Sequence, residues 1–185
     1  MNYKESHANY CELEVLDYKK ARLRLVEPKI EYAKTSLNWT SNNEIVQYMG
    51  ADFSNPSLEK EIERLQKIIN STDEYSWMIE VDGKVVGNVT LHDIQEKSSE
   101  FGLKAATHTI LIGDKKYWGQ GIGINVTRTV LEWAFNKGGF EVIFSRALEQ
   151  NVGSLKTLIK AGFEKIGTTP PTWQNFKLTK KQYLG

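Results

Sequence analysis

The chain has 185 residues, with 24 lysines and arginines against 23 aspartates and glutamates, a formal net charge of +1 and one cysteine, Cys11. That length suits one ordinary domain, able to bury about two-thirds of its unfolded surface without disulfides or metal. The near-zero charge argues against bulk binding to nucleic acid or anionic membrane, one cysteine makes no internal disulfide, and no run approaches the ~20 apolar residues of a membrane span.

Met1 to Tyr10 is polar and lacks the apolar core of a signal peptide, so a cytoplasmic protein is expected. No repeat, low-complexity tract or linker divides the chain. Residues 1–185 therefore read as a single domain, with 1–20 a loose arm or an extra hairpin strand.

Glu12 to Val15 and Arg22 to Val26 alternate polar and apolar, the period of half-buried strands. Asp17 to Lys20 can turn between them, and Pro28 closes the second. Ile30 to Met49 carries a broken helical pattern, with Ser41-Asn42-Asn43 as a restart cap. Ser57 can cap a clearer helix, in which Leu58, Ile62, Leu65 and Ile69 form one apolar face. Tyr75 to Val81 and Val85 to Leu91 read as strands joined by Asp82-Gly83, a hairpin dipeptide suited to positive φ. Gln95 to Lys104 reads as a polar loop, and Thr107 to Gly113 as a further strand. A glycine-rich turn, Gly119 to Gly123, precedes a helix to about Asn136, stopped by Gly138-Gly139. Val142 to Ala147 is a strand, and Asn151 caps a helix to Lys160 that ends at Gly162. Phe163 to Gly167 begins another strand, and a last one lies near Phe176 beyond Pro170-Pro171. The strand–helix–strand unit from Thr107 to Ala147 requires two parallel strands, whereas the hairpin makes others antiparallel. A mixed α/β sheet with helices on both faces follows.

Trp118-Gly119-Gln120-Gly121-Ile122-Gly123 lies between a strand and a helix. Glycines on alternate positions let a ligand approach the backbone, and the helix start offers unpaired N–H groups to a phosphate. The alternative is a plain tight turn. A dinucleotide fingerprint would need glycine where Ile124 or Val126 stands, and the Gly-Lys-Ser/Thr of a P-loop is missing.

Three stretches carry a resemblance. Ile112 to Gly123 is similar to a Tyr-Trp-Gly-Lys-Gly acyl-CoA loop, Leu131 to Phe135 follows in the helix, and Asn151-Val152-Gly153-Ser154 with Lys160-Ala161-Gly162-Phe163 matches Asn-x-x-Ser…Lys-x-Gly-Phe. The chain resembles the GCN5-related N-acetyltransferase (GNAT) family in its RimJ/RimL-like branch, over about Val85 to Gly167. The resemblance implies a GNAT fold of class α/β (α+β), with a mixed, mostly antiparallel sheet of about seven strands and a splayed parallel pair. It implies acetyl-CoA as cosubstrate, without metal. Backbone groups of Leu111, Ile112 and Gly113 would pair with the pantetheine arm. Amides of Gly119, Gln120, Gly121, Ile122, Gly123 and Ile124 would hold the pyrophosphate. Asn151 would touch the cosubstrate as well as cap its helix. Trp118 stands where many relatives have Arg or Gln.

Transfer to an amine needs a neutral nucleophile and a proton for the departing thiolate. Many relatives use a Tyr in the last helix, but Leu158 stands at that position. The branch's Asn-x-x-Ser serine, Ser154, is the substitute, or else a first-turn helix residue. His108 is the candidate base, because an unperturbed imidazole titrates at about 6.5; Thr107 is the alternative occupant of that family position. His92, Asp93 and Glu100 flank the region and can act through water. Trp39, Tyr48, Phe53 and Trp173 are candidate walls of an acceptor pocket. His7 has no assigned role, and Cys11 has no evident activating partner, which favours direct attack over an acyl-enzyme. The expected partner is a small-molecule primary amine, with a protein N-terminal amine and a non-catalytic acyl-CoA-binding module as rivals. Neither nucleic acid nor membrane is expected as a partner, and the chain would be a monomer or homodimer.

Overall fold

A computed structural model describes residues 12–16, 18, 20–50 and 54–185. Cys11, His7 and Phe53, and with them most of the 1–20 arm, lie outside the described residues.

Two strands open the chain, β1 (Leu13–Glu14) and β2 (Leu23–Val26). A 3-10 turn at Ile30–Tyr32 leads into α1 (Ala33–Thr40) and the short α2 (Asn43–Val46). Asn42 restarts the helical path as expected, its side chain accepting the Glu44 amide at 3.0 Å. α3 (Leu58–Asn70) is capped by Ser57, which accepts the Lys60 amide at 3.3 Å. β3 (Tyr75–Val81) and β4 (Lys84–His92) form the expected hairpin, with Asp82 at φ 48° and Gly83 at φ 82°. Both central residues thus adopt the positive φ of a type I′ turn.

Residues expected as a loop form a helix, α4 (Ile94–Phe101). Its polar sequence hides the signal, because only Ile94 is fully buried and Phe101 is used in a ring stack with Phe144, 4.7 Å between centroids. β5 (Ala105–Ile112), α5 (Ile122–Asn136) and β6 (Val142–Leu148) build the parallel crossover. α6 (Val152–Lys160), β7 (Glu164–Thr169) and β8 (Trp173–Thr179) follow. The chain closes with α7 (Lys180–Leu184), unexpected from sequence and started by a Thr179/Gln182 capping box.

Among the described residues the sheet has eight strands in the order β1-β2-β3-β4-β5-β6-β8-β7, against the about seven that the resemblance implies. Among the described residues only β5 and β6 pair in parallel. Adjacent strand residues face opposite ways, so Trp77 and Met78 belong to different layers. Trp77 joins a large core with Leu91, Val126, Phe135 and Leu158, which places α5 and α6 on that face. Met78 joins a smaller cluster with Val26, Trp39, Ile45 and Val85, which places α1 and α2 on the other. Trp133 of α5 locks the larger layer, its ring 4.8 Å from Tyr75 and 5.1 Å from Trp77 between centroids.

Candidate active site

The site begins where β5 and β6 part. Four rungs join them: Ala105–Val142, Ala106–Ile143, Thr107–Phe144 and His108–Ser145. Beyond His108, β5 stays paired with β4 up to Ile112–Gly87, but has no partner on its β6 side among the described residues. β6 runs on against β8 to Leu148–Trp173. The resulting fork opens into a cleft of about 1250 Å³ that reaches both layers.

One arm of the cleft is a row of free amides. Gly119 and Gly121 take φ 70° and 88°, which glycine adopts at little cost. This winding leaves the N–H groups of Gly119, Gln120, Gly121, Ile122, Gly123 and Ile124 without an acceptor among the described residues. Gly121 is the N-cap of α5 and supplies no side-chain cap. A Cβ at Gly119 would meet only open space. Six amides at the positive end of a fifteen-residue helix fit a pyrophosphate.

Of the three expected pantetheine contacts, Gly113 donates its N–H to Val86 of β4 at 2.8 Å. It also lies against Trp39, with no room for a Cβ. The Ile112 carbonyl accepts the Trp118 indole N–H at 2.7 Å. Leu111 packs against the smaller cluster. Leu111 and Ile112 line the cleft, whereas Gly113 is not part of its wall.

Across the fork, Asn151 accepts the Ser154 amide at 3.0 Å and so caps α6. Ser154 lines the cleft, and its hydroxyl makes no hydrogen bond among the described residues. Leu158 is buried beneath it.

His108 faces away from the reacting end of the cleft. It is 1% exposed, on the same side of β5 as Ala106, with Thr127 Oγ1 3.5 Å from Nε2 and the Phe163 ring alongside. Burial, with the charge of nearby His92 adding to it, pushes its imidazole down to about 4. Thr107 and Thr109, of the opposite parity, line the cleft, and both parities do so only from Ile110 onwards, where β6 has parted. Strand alternation in the sequence carried this signal, because the apolar Ala106, Ile110 and Ile112 share the parity of His108.

His92 stands on the cleft side instead. Its Nδ1 is 2.9 Å from Asp93 Oδ2 and its Nε2 is 2.9 Å from Thr109 Oγ1. A carboxylate only accepts, so a neutral ring that carries its proton on Nδ1, beside Asp93, leaves Nε2 to accept from the threonine hydroxyl. Asp93 is held at φ 57° and is the N-cap of α4, yet it makes no side-chain cap bond. An N-cap aspartate normally accepts a helix amide, worth about 1 kcal/mol. Here the carboxylate is turned to His92.

Glu100 also lines the cleft but is paired with Lys97 at 2.7 Å. Of the aromatic candidates, Tyr48 and Trp173 wall the cleft, whereas Trp39 is core. Arg146 and Phe144 of β6 complete the wall. No helix among the described residues is long and apolar enough to cross a membrane.

Comparison with known proteins agrees with this geometry. Probable N-acetyltransferase YjcK of Bacillus subtilis (strain 168) is 31% identical over 113 residues, covering 58% of this chain and 58% of that protein. The match thus spans less than two-thirds of the relative's length. Spermidine N-acetyltransferase from Vibrio cholerae, in complex with CoA and spermine, superposes with a TM-score of 0.74 at 18% identity, over 88% of this chain and 97% of that one. RimJ of Mycobacterium smegmatis, in complex with CoA-disulfide, gives a TM-score of 0.74 at 14% identity, over 88% of this chain and 84% of that one. The family described as acetyltransferase (GNAT) domain matches residues 22–164, and the chain belongs to it.

Proposed function

We propose that the protein transfers an acetyl group from acetyl-CoA to the primary amine of a small molecule by direct attack. The observation that carries this reading is the fork itself. It joins an anion-binding row of amides on one side to a His92–Thr109 pair on the other. A thioester and an amine can therefore meet from opposite layers of the sheet, with no acyl-enzyme between them.

The amides from Gly119 to Ile124 would hold the pyrophosphate, Asn151 would fix the start of α6, and Lys156 and Lys160 at the cleft add positive charge. The pantetheine amide competes with the Trp118 indole for the Ile112 carbonyl. On the acceptor side, a proton leaves the substrate ammonium for Thr109 Oγ1 as the threonine's own proton passes to His92 Nε2, and Asp93 balances the imidazolium. Ser154 gives its hydroxyl proton to the departing thiolate and takes back the proton that the attacking nitrogen releases as the amide forms, so the serine ends as it began. His108, buried and neutral, holds the fork rather than the reacting amine. The Tyr-Trp-Gly and Asn-x-x-Ser sequences support the RimJ/RimL-like branch. The Vibrio cholerae structure, a spermidine N-acetyltransferase in complex with CoA and spermine, supports a small-molecule amine over a protein N-terminus.

The test is turnover. Free CoA should appear when acetyl-CoA and a library of primary amines are supplied, and acetyl-CoA and CoA should raise the melting temperature while NAD and ATP do so much less. CoA-dependent stabilisation with no turnover on any amine, small molecule or peptide, would favour the acyl-CoA-binding module.

A further inference from the structure

We propose that Arg146 forms an oxyanion subsite beside the fork, so that the accepted molecule carries a carboxylate or phosphate next to the amine it presents. This rests on the acetyl-transfer reading and specifies its acceptor.

Arg146 is the first residue of β6 after the last rung with β5. Alternation puts it on the same face as Phe144, towards Thr109 and His92 rather than towards the large core. The other arginines are engaged: Arg22 with Glu14, Arg24 with Glu80, Arg64 with Glu61, and Arg128 with the carbonyl of Lys160. The guanidinium of Arg146 has neither a carboxylate nor a hydrogen-bond acceptor among the described residues. It is held in place all the same. Its Cζ lies 4.7 Å from the centroid of the Trp173 ring. That ring is fixed in turn by Gly50, where a Cβ would come within 2.2 Å of it. Stacking presents the guanidinium edge, with its forked N–H donors, to the cleft.

The carboxylates opposite have partners of their own and do not reach the guanidinium. Asp93 is turned to His92, and Glu96 and Glu100 both reach Lys97 of α4. Arg146 is thus the cation at the fork whose guanidinium has no carboxylate against it among the described residues. A polyamine would set ammonium against guanidinium there. An amine with a neighbouring oxyanion forms a charge-assisted, bidentate pair instead. The nearby cation also favours the neutral form of the amine, which is the form that attacks.

The experiment compares matched acceptors on the full-length protein with acetyl-CoA, reading kcat/KM from CoA release. One arm sets the common α-amino acids against the amines left when their carboxyl group is removed. A second sets phosphoethanolamine against ethanolamine, which separates phosphate from carboxylate. Spermidine is the polycation control. The anion-bearing member of at least one arm should be preferred by ~10-fold or more. Arg146→Gln should abolish that preference while leaving the bare amines within about threefold and acetyl-CoA affinity unchanged. Arg146→Lys should recover part of it. Equal or better turnover of bare amines or spermidine by the wild type overturns the subsite but leaves acetyl transfer standing. Loss of acetyl-CoA affinity in Arg146→Gln also overturns it, because the arginine then serves the donor. Silence from every anionic acceptor with acetyl-CoA demonstrably bound counts against it equally. Absence of both acetyl-CoA binding and turnover refutes the acetyl-transfer reading itself.

Discussion

Ser145 Oγ donates a 2.9 Å hydrogen bond to the carbonyl of His108, its partner on the last rung between β5 and β6. Both residues are buried, so the bond closes the fork at its base. Ser145→Ala removes a donor from a buried carbonyl, at a cost of about 1–2 kcal/mol. For a chain of this size the melting temperature should fall by ~3–6 °C. An unchanged melting temperature would mean that the strands part for other reasons.

Gly121→Glu and Gly121→Ala together separate strain from charge. At φ 88° any side chain is strained, although the nearest atom to a Cβ, Asn125 Nδ2, is 3.6 Å away and leaves room. Both variants should lose comparable stability. Only the glutamate places a negative charge where the free amides gather, and it should weaken CoA binding by ~10-fold or more beyond the alanine variant. Equal affinities in a calorimetric titration would reduce the loop to a turn.

The strands, the parallel pair and the glycine-rich start of α5 were legible in the sequence, whereas α4 and α7 were not. Each depends on local signals: the Asp82-Gly83 turn, the glycines at 119 and 121, and the Asn151 cap. Even the short first strand, Leu13–Glu14, showed in the alternation of Glu12 to Val15. α4 was missed because its apolar contacts come from Phe144, a residue far along the chain. The acceptor side was least legible for the same reason. Arg146, Trp173 and Gly50 lie on separate elements, and their contact exists only once β6 and β8 pair. His108 drew attention as a residue type, but its side of the strand places it in the core.

That burial has a measurable consequence at acid pH. The folded chain keeps the His108 imidazole neutral, its value pushed down to about 4 by burial and by His92. The unfolded chain binds the proton near 6.5. The folded value lies below the unfolded one, so this contribution is whole above about pH 6.5 and is lost as pH falls towards 4. Between pH 7.5 and 5 the wild type should lose about 2 kcal/mol from this group. His108→Leu should lose that much less over the same interval, measured by urea unfolding at both values. Parallel losses in the two proteins would show that His108 is not the group responsible.

Ser154 and Asn151 can be told apart by what each substitution spares. Asn151→Ala removes the α6 cap and should cost about 1 kcal/mol of stability. Ser154→Ala leaves that cap bond intact, because the amide of residue 154 is the donor. If the hydroxyl protonates the thiolate, Ser154→Ala should lower kcat while the affinity for acetyl-CoA stays nearly constant. A kcat equal to that of the wild type would return Ser154 to an ordinary first-turn residue.

The proton path on the acceptor side yields the last prediction. Thr109 Oγ1 lies 2.9 Å from His92 Nε2, and Asp93 Oδ2 lies 2.9 Å from His92 Nδ1. Thr109→Val keeps the shape of the side chain and removes the link. His92→Gln keeps a polar group of similar reach but removes the base. Either should slow kcat by ~10²–10⁴-fold with an acceptor whose amine is largely protonated at the assay pH. With an acceptor of low basicity, whose amine is already neutral, the deficit should shrink, because one proton no longer has to be removed before attack. Asp93→Asn should slow the reaction less than His92→Gln, since it removes only the partner that balances the imidazolium. It should also relieve little strain, as asparagine tolerates the φ of 57° found there. Acetyl-CoA affinity should be unaffected in all three, because none of these side chains lies on the amide row. A deficit that is the same for basic and weakly basic acceptors would assign His92 to shaping the pocket and take it out of proton transfer.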